Sequence, residues 1–235
     1  MATGSPGTNG VWQYGEDDSE ATFSALLNKA ASTTNTAIGL DRGRLNTLEA
    51  RKLSGLVPIV PTSVTATGGT GSFDSVTGTI TCGTGMTSIV ANGVFTSTYK
   101  SYLIITEVLK DNNSSNSVLQ LQMSSGGTHV TSGYNSISIG ISTTGVIQNL
   151  SSTSSFYGTR TFTANRRCSS VNTIHNPAAP LPTTISGTGF GNVDTTDQGL
   201  VMTGTLNTNT SYPNLRILHN LNTFSGTINI YGYED

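Results

Sequence analysis

SYLIITEVLKDNNSSNSVLQLQMSS, Ser101–Ser125, decides the fold. Its first part, Tyr102–Leu109, is the aromatic and β-branched composition of a strand. Leu103, Ile105, Val108 and Leu109 break strict alternation, as in a central strand covered on both faces. Asp111, Asn112, Asn113, Ser114, Ser115 and Asn116 form a polar loop. Beyond it Val118, Leu119, Leu121 and Met123 read as the antiparallel partner of the first strand.

The same grammar extends outward in both directions. About a dozen short runs, from Ser63–Thr67 through Ile137–Ile141 to Thr227–Tyr231, alternate with turn signals such as Asn92-Gly93 and Gly126-Gly127. So many short strands over residues 62–235 predict a mainly β protein built as a jelly-roll-like β-sandwich. No period of a propeller or β-helix is present.

Upstream the character changes. Leu56, Val57, Pro58, Ile59, Val60 and Pro61 read as an extended linker, residues 55–61, because proline ends a helix and stiffens the chain around it. Residues 21–54 carry Ala, Leu, Lys, Arg and Glu and predict a short helical, coiled-coil-like stalk. Leu27, Ala31, Thr34, Ile38, Asp41, Leu45 and Leu48 fall at alternating spacings of four and three, the seam of a heptad. Thr34 and Asp41 are poor seam residues, and Gly39 and Gly43 each cost about 1 kcal/mol against Ala. The helix therefore needs support. Three chains around the seam, one amphipathic helix on the chain's own β domain, and a helix broken at Gly39 or Gly43 all satisfy the pattern. Residues 1–20 form an anchoring arm whose apolar points are Val11, Trp12 and Tyr14. Glu16, Asp17, Asp18 and Glu20 then complement the positive end of the helix.

Composition excludes several functions. Charged residues are 10% of the 235, against roughly 25% in ordinary domains, so hydroxyls and amides supply the polar surface. Eleven Lys and Arg against thirteen Asp and Glu give no field for nucleic acid. No run approaches the ~18 apolar residues of a membrane span, so no membrane insertion is expected. Met1–Gly10 lacks the basic and apolar regions of a leader.

Catalytic groups are sparse. His129, His175 and His219 are scattered without metal-ligand spacing, and no GxSxG elbow exposes a serine. Glu107 sits in an apolar run and reads as an outward-facing strand residue. A glycosidase needs two facing carboxylates, which Asp74, Glu107, Asp111, Asp194, Asp197, Glu234 and Asp235 do not announce by spacing. Asp111, Asn112, Asn113 and Asn116, or Asp194 with Asp197, offer oxygen ligands, but hairpin chemistry explains both groups. The expectation is no enzyme, no cofactor and no metal. Cys82 and Cys168 are either two half-buried thiols or one long-range disulfide.

Binding is the open option. Tyr134, Phe156, Tyr157 and Tyr212 stand beside Ser, Asn and Gly, a combination suited to stacking on sugars, although ordinary packing also explains them. Tyr134 and Tyr157 are the candidate glycan contacts. Arg160, Arg166 and Arg167 are either an anion-binding or subunit-facing patch or a solvated strand face.

Three segments resemble a known group. GVWQYGEDDSEATFSALLNKAASTTNTAIGLDRGRLNTLEARKLSGLVPIVPTSV, Gly10–Val64, resembles the amino-terminal region of minor tail proteins, or short fibre proteins, of actinobacterial tailed phages. SIVANGVFTSTYKSYLIITEV, Ser88–Val108, and TINIYGYED, Thr227–Asp235, resemble the sandwich domains of phage fibre and tail-tip proteins. The resemblance implies a non-enzymatic homotrimer on the virion surface, at the tail tip or capsid exterior. Tail-tip or capsid proteins would hold residues 1–20, and the β domain would face a host cell-surface glycan. A head fibre or capsid decoration protein, and the carbohydrate-binding domain of a cell-wall enzyme, are the alternatives.

Overall fold

The computed structural model describes residues 28–34, 36, 55–110, 117–142, 145, 147–161, 167–193 and 196–233. The chain divides into two units, Met1–Ser54 and Gly55–Asp235. In the first, residues 28–34 are helical and exposed. Thr33 and Thr34 donate their hydroxyls back to the carbonyls of Lys29 and Ala30 at 2.9 Å, which keeps these polar side chains compatible with a helix. Ala31 and Thr34 of the heptad seam belong to this helix. Leu27, Ile38, Asp41, Leu45 and Leu48 lie outside the described residues, as do Val11, Trp12 and Tyr14.

The second unit is mainly β. Its first strands are β1 (Leu56–Pro58), β2 (Ser63–Thr67), β3 (Gly71–Phe73), β4 (Ile80–Met86), β5 (Ser88–Asn92), β6 (Ser101–Lys110), β7 (Ser117–Ser125) and β8 (Thr128–His129). They continue as β9 (Tyr134–Ser142), β10 (Ile147–Ser152), β11 (Phe156–Thr161), β12 (Arg167–His175), β13 (Thr183–Val193), β14 (Thr196–Leu206), β15 (Asn214–His219) and β16 (Phe224–Tyr233). The larger sheet runs β10-β9-β14-β13-β12-β6-β16-β4-β3, with β1 also on β16; the smaller runs β11-β7-β15-β5-β2, with β8 on β7. Their facing sides share one apolar core in which Ile80, Ile104 and Ile228 meet Ile89, Leu121 and Ile217. Each such side chain contributes roughly 1.5–3 kcal/mol by leaving water. No described helix is long and apolar enough to cross a membrane.

Two expectations change. β6 does not pair with β7: it lies between β12 and β16, while β7 lies between β11 and β15 in the other sheet. Nor is β6 covered on both faces, because Glu107 is exposed and Ile105 and Leu109 are half-buried on its outer side. The expected linker is also part of the sandwich. Leu56–Pro58 pair with Tyr231–Tyr233, and the amide of Ile59 donates to the Ile230 carbonyl at 2.8 Å. Pro58 is tolerated there because β1 pairs on one side only.

One part of the interior is built from small residues. Ser136 and Ser138 on β9, Gly187 and Gly189 on β13, and Gly204 on β14 point between the sheets. Strand β11 packs over β9, β12, β13 and β14. A side chain on Gly204 would begin 3.0 Å from Phe156 Cδ1, so the approach of β11 at that point favours a glycine beneath it. The consequence appears on the opposite side: β9 directs Ile137, Ile139 and Ile141 away from the core.

Candidate functional site

A cleft of about 560 Å³ opens on the outer side of the larger sheet, where β6, β12, β13 and β16 lie next to one another. Strand alternation decides what lines it. Phe190, Ser169, Glu107 and Thr227 stand in one cross-strand row, and Arg167, Leu109 and Ser225 in the next. Between the rows Cys168 and Val108 turn inward and are buried, so they form the floor. Gly226 completes it. A side chain there would collide with the Glu107 carbonyl oxygen, and its φ of +136° is one that only glycine adopts without strain. The pairing of β16 with β4 shifts between Phe224 and Gly226, with the extra residues on β4, which bulges beside the cleft.

The lining combines an aromatic ring, two charged groups and hydroxyls. Phe190 is 45% exposed and offers a ring face. Glu107 and Arg167 are both exposed and lie diagonally across the β6–β12 pair, a relation that places such side chains about 7–8 Å apart. The hydroxyls of Ser169, Ser225 and Thr227 surround them. An aromatic face, a carboxylate acceptor, a guanidinium donor and hydroxyls are a set that reads a polyhydroxylated ring on both its apolar and polar sides. The volume falls within the roughly 300–1,000 Å³ of small-molecule sites. Glu107 is the one carboxylate among the described residues lining the cleft, so they hold no facing pair for glycosidic cleavage. The Cys168 thiol beneath is no nucleophile: burial pushes it up to about 12, and it sits 3.6 Å from the Val108 carbonyl oxygen.

The tyrosines expected to meet a sugar are placed elsewhere. Tyr134 is 3% exposed, its hydroxyl accepts from the Met123 amide at 2.8 Å, and its ring meets Phe156 edge-on at 4.9 Å. Tyr157 is 6% exposed and donates to the Ser151 carbonyl at 2.8 Å. Phe156 and Tyr212 are buried as well. Each ring lies at an inward position whose hydroxyl, where it has one, is satisfied by protein, so none presents a face for stacking.

Of the arginine group, Arg167 reaches the cleft; the Arg160 side chain and Arg166 lie outside the described residues. So do Asp111, Asn112, Asn113, Asn116 and Asp194, whereas Asp197 is exposed on β14. Among the described residues no group of three metal-ligating side chains converges. Phe190 was missed by the sequence reading. Its signal was available in SGTGFGN, Ser186–Asn192, where one aromatic stands between two glycines on a strand.

No protein-family model matches the chain, and no curated protein matches it. Among solved structures it is similar to the binding domain of botulinum neurotoxin serotype D, at 11% identity and a TM-score of 0.33, over 77% of this chain and 49% of that one. The chain thus spans about half the length of that toxin domain. It is also similar to the CBM2 module of the evolved Dit of Lactobacillus casei BL23 phage J-1, at 10% identity and a TM-score of 0.31, over 78% and 99% of the two chains. A third likeness is to SCLam, a non-specific endo-β-1,3(4)-glucanase of family GH16, at 10% identity and a TM-score of 0.22, over 63% of each chain.

Proposed function

We propose that this chain is a non-enzymatic structural protein of a phage virion, a short homotrimeric surface fibre. Its amino-terminal residues anchor it to the particle, and its β domain binds a glycan of the host surface. The observation that carries the binding part is the cleft in which exposed Phe190 shares a row with Ser169, Glu107 and Thr227, next to Arg167. The sequence resemblance of Gly10–Val64 and Ser88–Val108 to phage tail and fibre proteins supports the placement on a virion. Weak sugar contacts suffice in such a protein, because several linked sites raise avidity by roughly 10²–10⁴.

The test is a glycan array of neutral and acidic oligosaccharides probed with the full chain, followed by titration calorimetry on the hits. Phe190→Ala is expected to weaken binding about tenfold, the upper range of one aromatic contact, at an unchanged melting temperature. No bound glycan, or equal binding by Phe190→Ala, sinks the reading. Cryo-EM of virions carrying a carboxyl-terminal label separates tail from capsid: label repeated over the head makes the chain a decoration fibre.

A further inference from the structure

Strand β16 continues past the cleft with polar-tipped side chains. Its outward residues run Thr227, Asn229, Tyr231, Tyr233, because Ile228 and Ile230 between them belong to the core. All four are partly exposed. Tyr231 stands between Leu103 of β6 and Pro58 of β1, and Tyr233 lies beside Leu56. One residue past the Gly232–Tyr102 pair, Tyr233 also stands opposite Ser101, whose Oγ is 2.8 Å from His175 Nδ1. The hydroxyls set these two tyrosines apart. Tyr102, Tyr134, Tyr157 and Tyr212 are buried, and each bonds its hydroxyl to protein. Among the described residues, the hydroxyls of Tyr231 and Tyr233 have no such partner. Asn229 lies between them and the cleft. Thr79 donates to its Oδ1 at 2.8 Å, and its Nδ2 has no partner among the described residues.

We infer that the cleft is one end of a track for an extended, linear oligosaccharide, which follows β16 to the rings of Tyr231 and Tyr233. The inference rests on the reading of the cleft as a glycan site and narrows the ligand to a chain of several sugar units rather than a single terminal sugar. Length is the first argument. Six residues of extended strand from Thr227 to Tyr233 span about 20 Å, several times the width of a sugar ring. Chemistry is the second. A tyrosine whose hydroxyl has no internal partner offers a ring to the apolar face of a sugar and a polar tip to its hydroxyls, as Phe190 and Glu107 together do at the other end. Midway, Asn229 adds amide donors on a side chain already held by Thr79. Rigidity is the third. Strand β16 is paired with β6 on one side and with β4 and β1 on the other, so the rings keep a fixed distance from the cleft before any ligand arrives. The same pairing disfavours a polypeptide as occupant, because Tyr231–Tyr233 present no free edge to which an extended chain could add as a strand.

The experiment is titration calorimetry of the full chain with linear glucose, galactose and N-acetylglucosamine oligomers, each as a disaccharide and as a hexasaccharide. The parent is expected to bind a hexasaccharide about tenfold more tightly than the matching disaccharide. The double variant Tyr231→Ala, Tyr233→Ala is expected to erase that gain while disaccharide affinity and melting temperature hold, whereas Phe190→Ala weakens binding of both lengths. The comparison of lengths in the parent stands even where the alanine variant loses stability. Equal affinity for the two lengths, or a gain that survives in the double variant, overturns the track and leaves the cleft in place. Binding of no oligomer, or binding indifferent to Phe190→Ala, overturns the cleft and the track with it.

Discussion

Ser138 and Ile139 are neighbours on β9 that each face the direction their hydropathy opposes: Ser138 is fully buried with an unpartnered Oγ, and Ile139 is 40% exposed. A slip of one residue would exchange them. The register holds because β9 is paired on both sides, with β10 and β14, and because β11 packs over its inward face. Ser138→Leu is therefore expected to destabilise by about 1–3 kcal/mol through overpacking, although it adds apolar volume to an interior site. Ile139→Thr is expected to change stability by about 0.5 kcal/mol or less. Urea unfolding of the two variants checks the pair; a stabilised Ser138→Leu protein would place the inward space elsewhere.

That inversion also marks how far the sequence could be read. Strand existence was legible wherever β-branched residues alternate between turns, and Ser63–Thr67 matches β2 residue for residue. Alternation carries no label for which side is the core, so the isoleucines of β9 could not be oriented until β11 was seen lying over the serines. Pairing was less legible still. The Asp111–Asn116 loop resembles a hairpin connection, yet β6 and β7 belong to different sheets, because partners in a sandwich are chosen by long-range packing that no local signal encodes. The site obeyed the same rule. Glu107 and Arg167 drew notice as the rare charged residues of β segments, but their adjacency to Phe190 depends on the β6–β12–β13 order. Tyr134 and Tyr157 looked superficial because Ser and Asn surround them, and backbone partners for their hydroxyls are what make burial acceptable.

Gly226 joins the fold to the cleft. Its Cα lies so near the Glu107 carbonyl that a methyl group cannot be placed without moving β16 or β6. Gly226→Ala is expected to cost about 3 kcal/mol or more from strain and collision together. Because the displaced strands carry Glu107 and Thr227, glycan affinity should fall as well, in protein that is still folded at low temperature. Thermal melts with calorimetric binding below the transition test both parts; a variant as stable as the parent would show that β16 and β6 relax freely at this point.

Tyr134 separates packing from recognition. Its hydroxyl oxygen accepts the Met123 amide inside the core, and burial raises its ionisation well above the usual phenol range. Tyr134→Phe leaves that amide without an acceptor and is expected to cost about 1–3 kcal/mol. Glycan binding by the folded variant should match the parent. A loss of binding without a loss of stability would return Tyr134 to the sugar contacts.

Cys82 and Cys168 lie at the two ends of one cross-strand row, Cys82, Gly226, Val108, Cys168, with β16 and β6 between them. Three strand spacings separate their Cα atoms by about 14 Å, twice the reach of a disulfide, and both are free thiols. Reducing agent is therefore expected to leave the melting temperature unchanged. Burial raises both from the ordinary 9.0 to about 12. Between those values the native state holds protons that the unfolded chain releases, so stability is complete below pH 9 and falls as pH rises toward 12. Replacing both with Ala removes this loss and also leaves small cavities, so the double variant should be less stable at pH 7 yet show a flatter alkaline limb. Urea midpoints at pH 7, 9 and 10.5 measure the slope. Equal slopes for parent and variant would mean that the thiols ionise in the folded protein, and that the floor of the cleft is open to water.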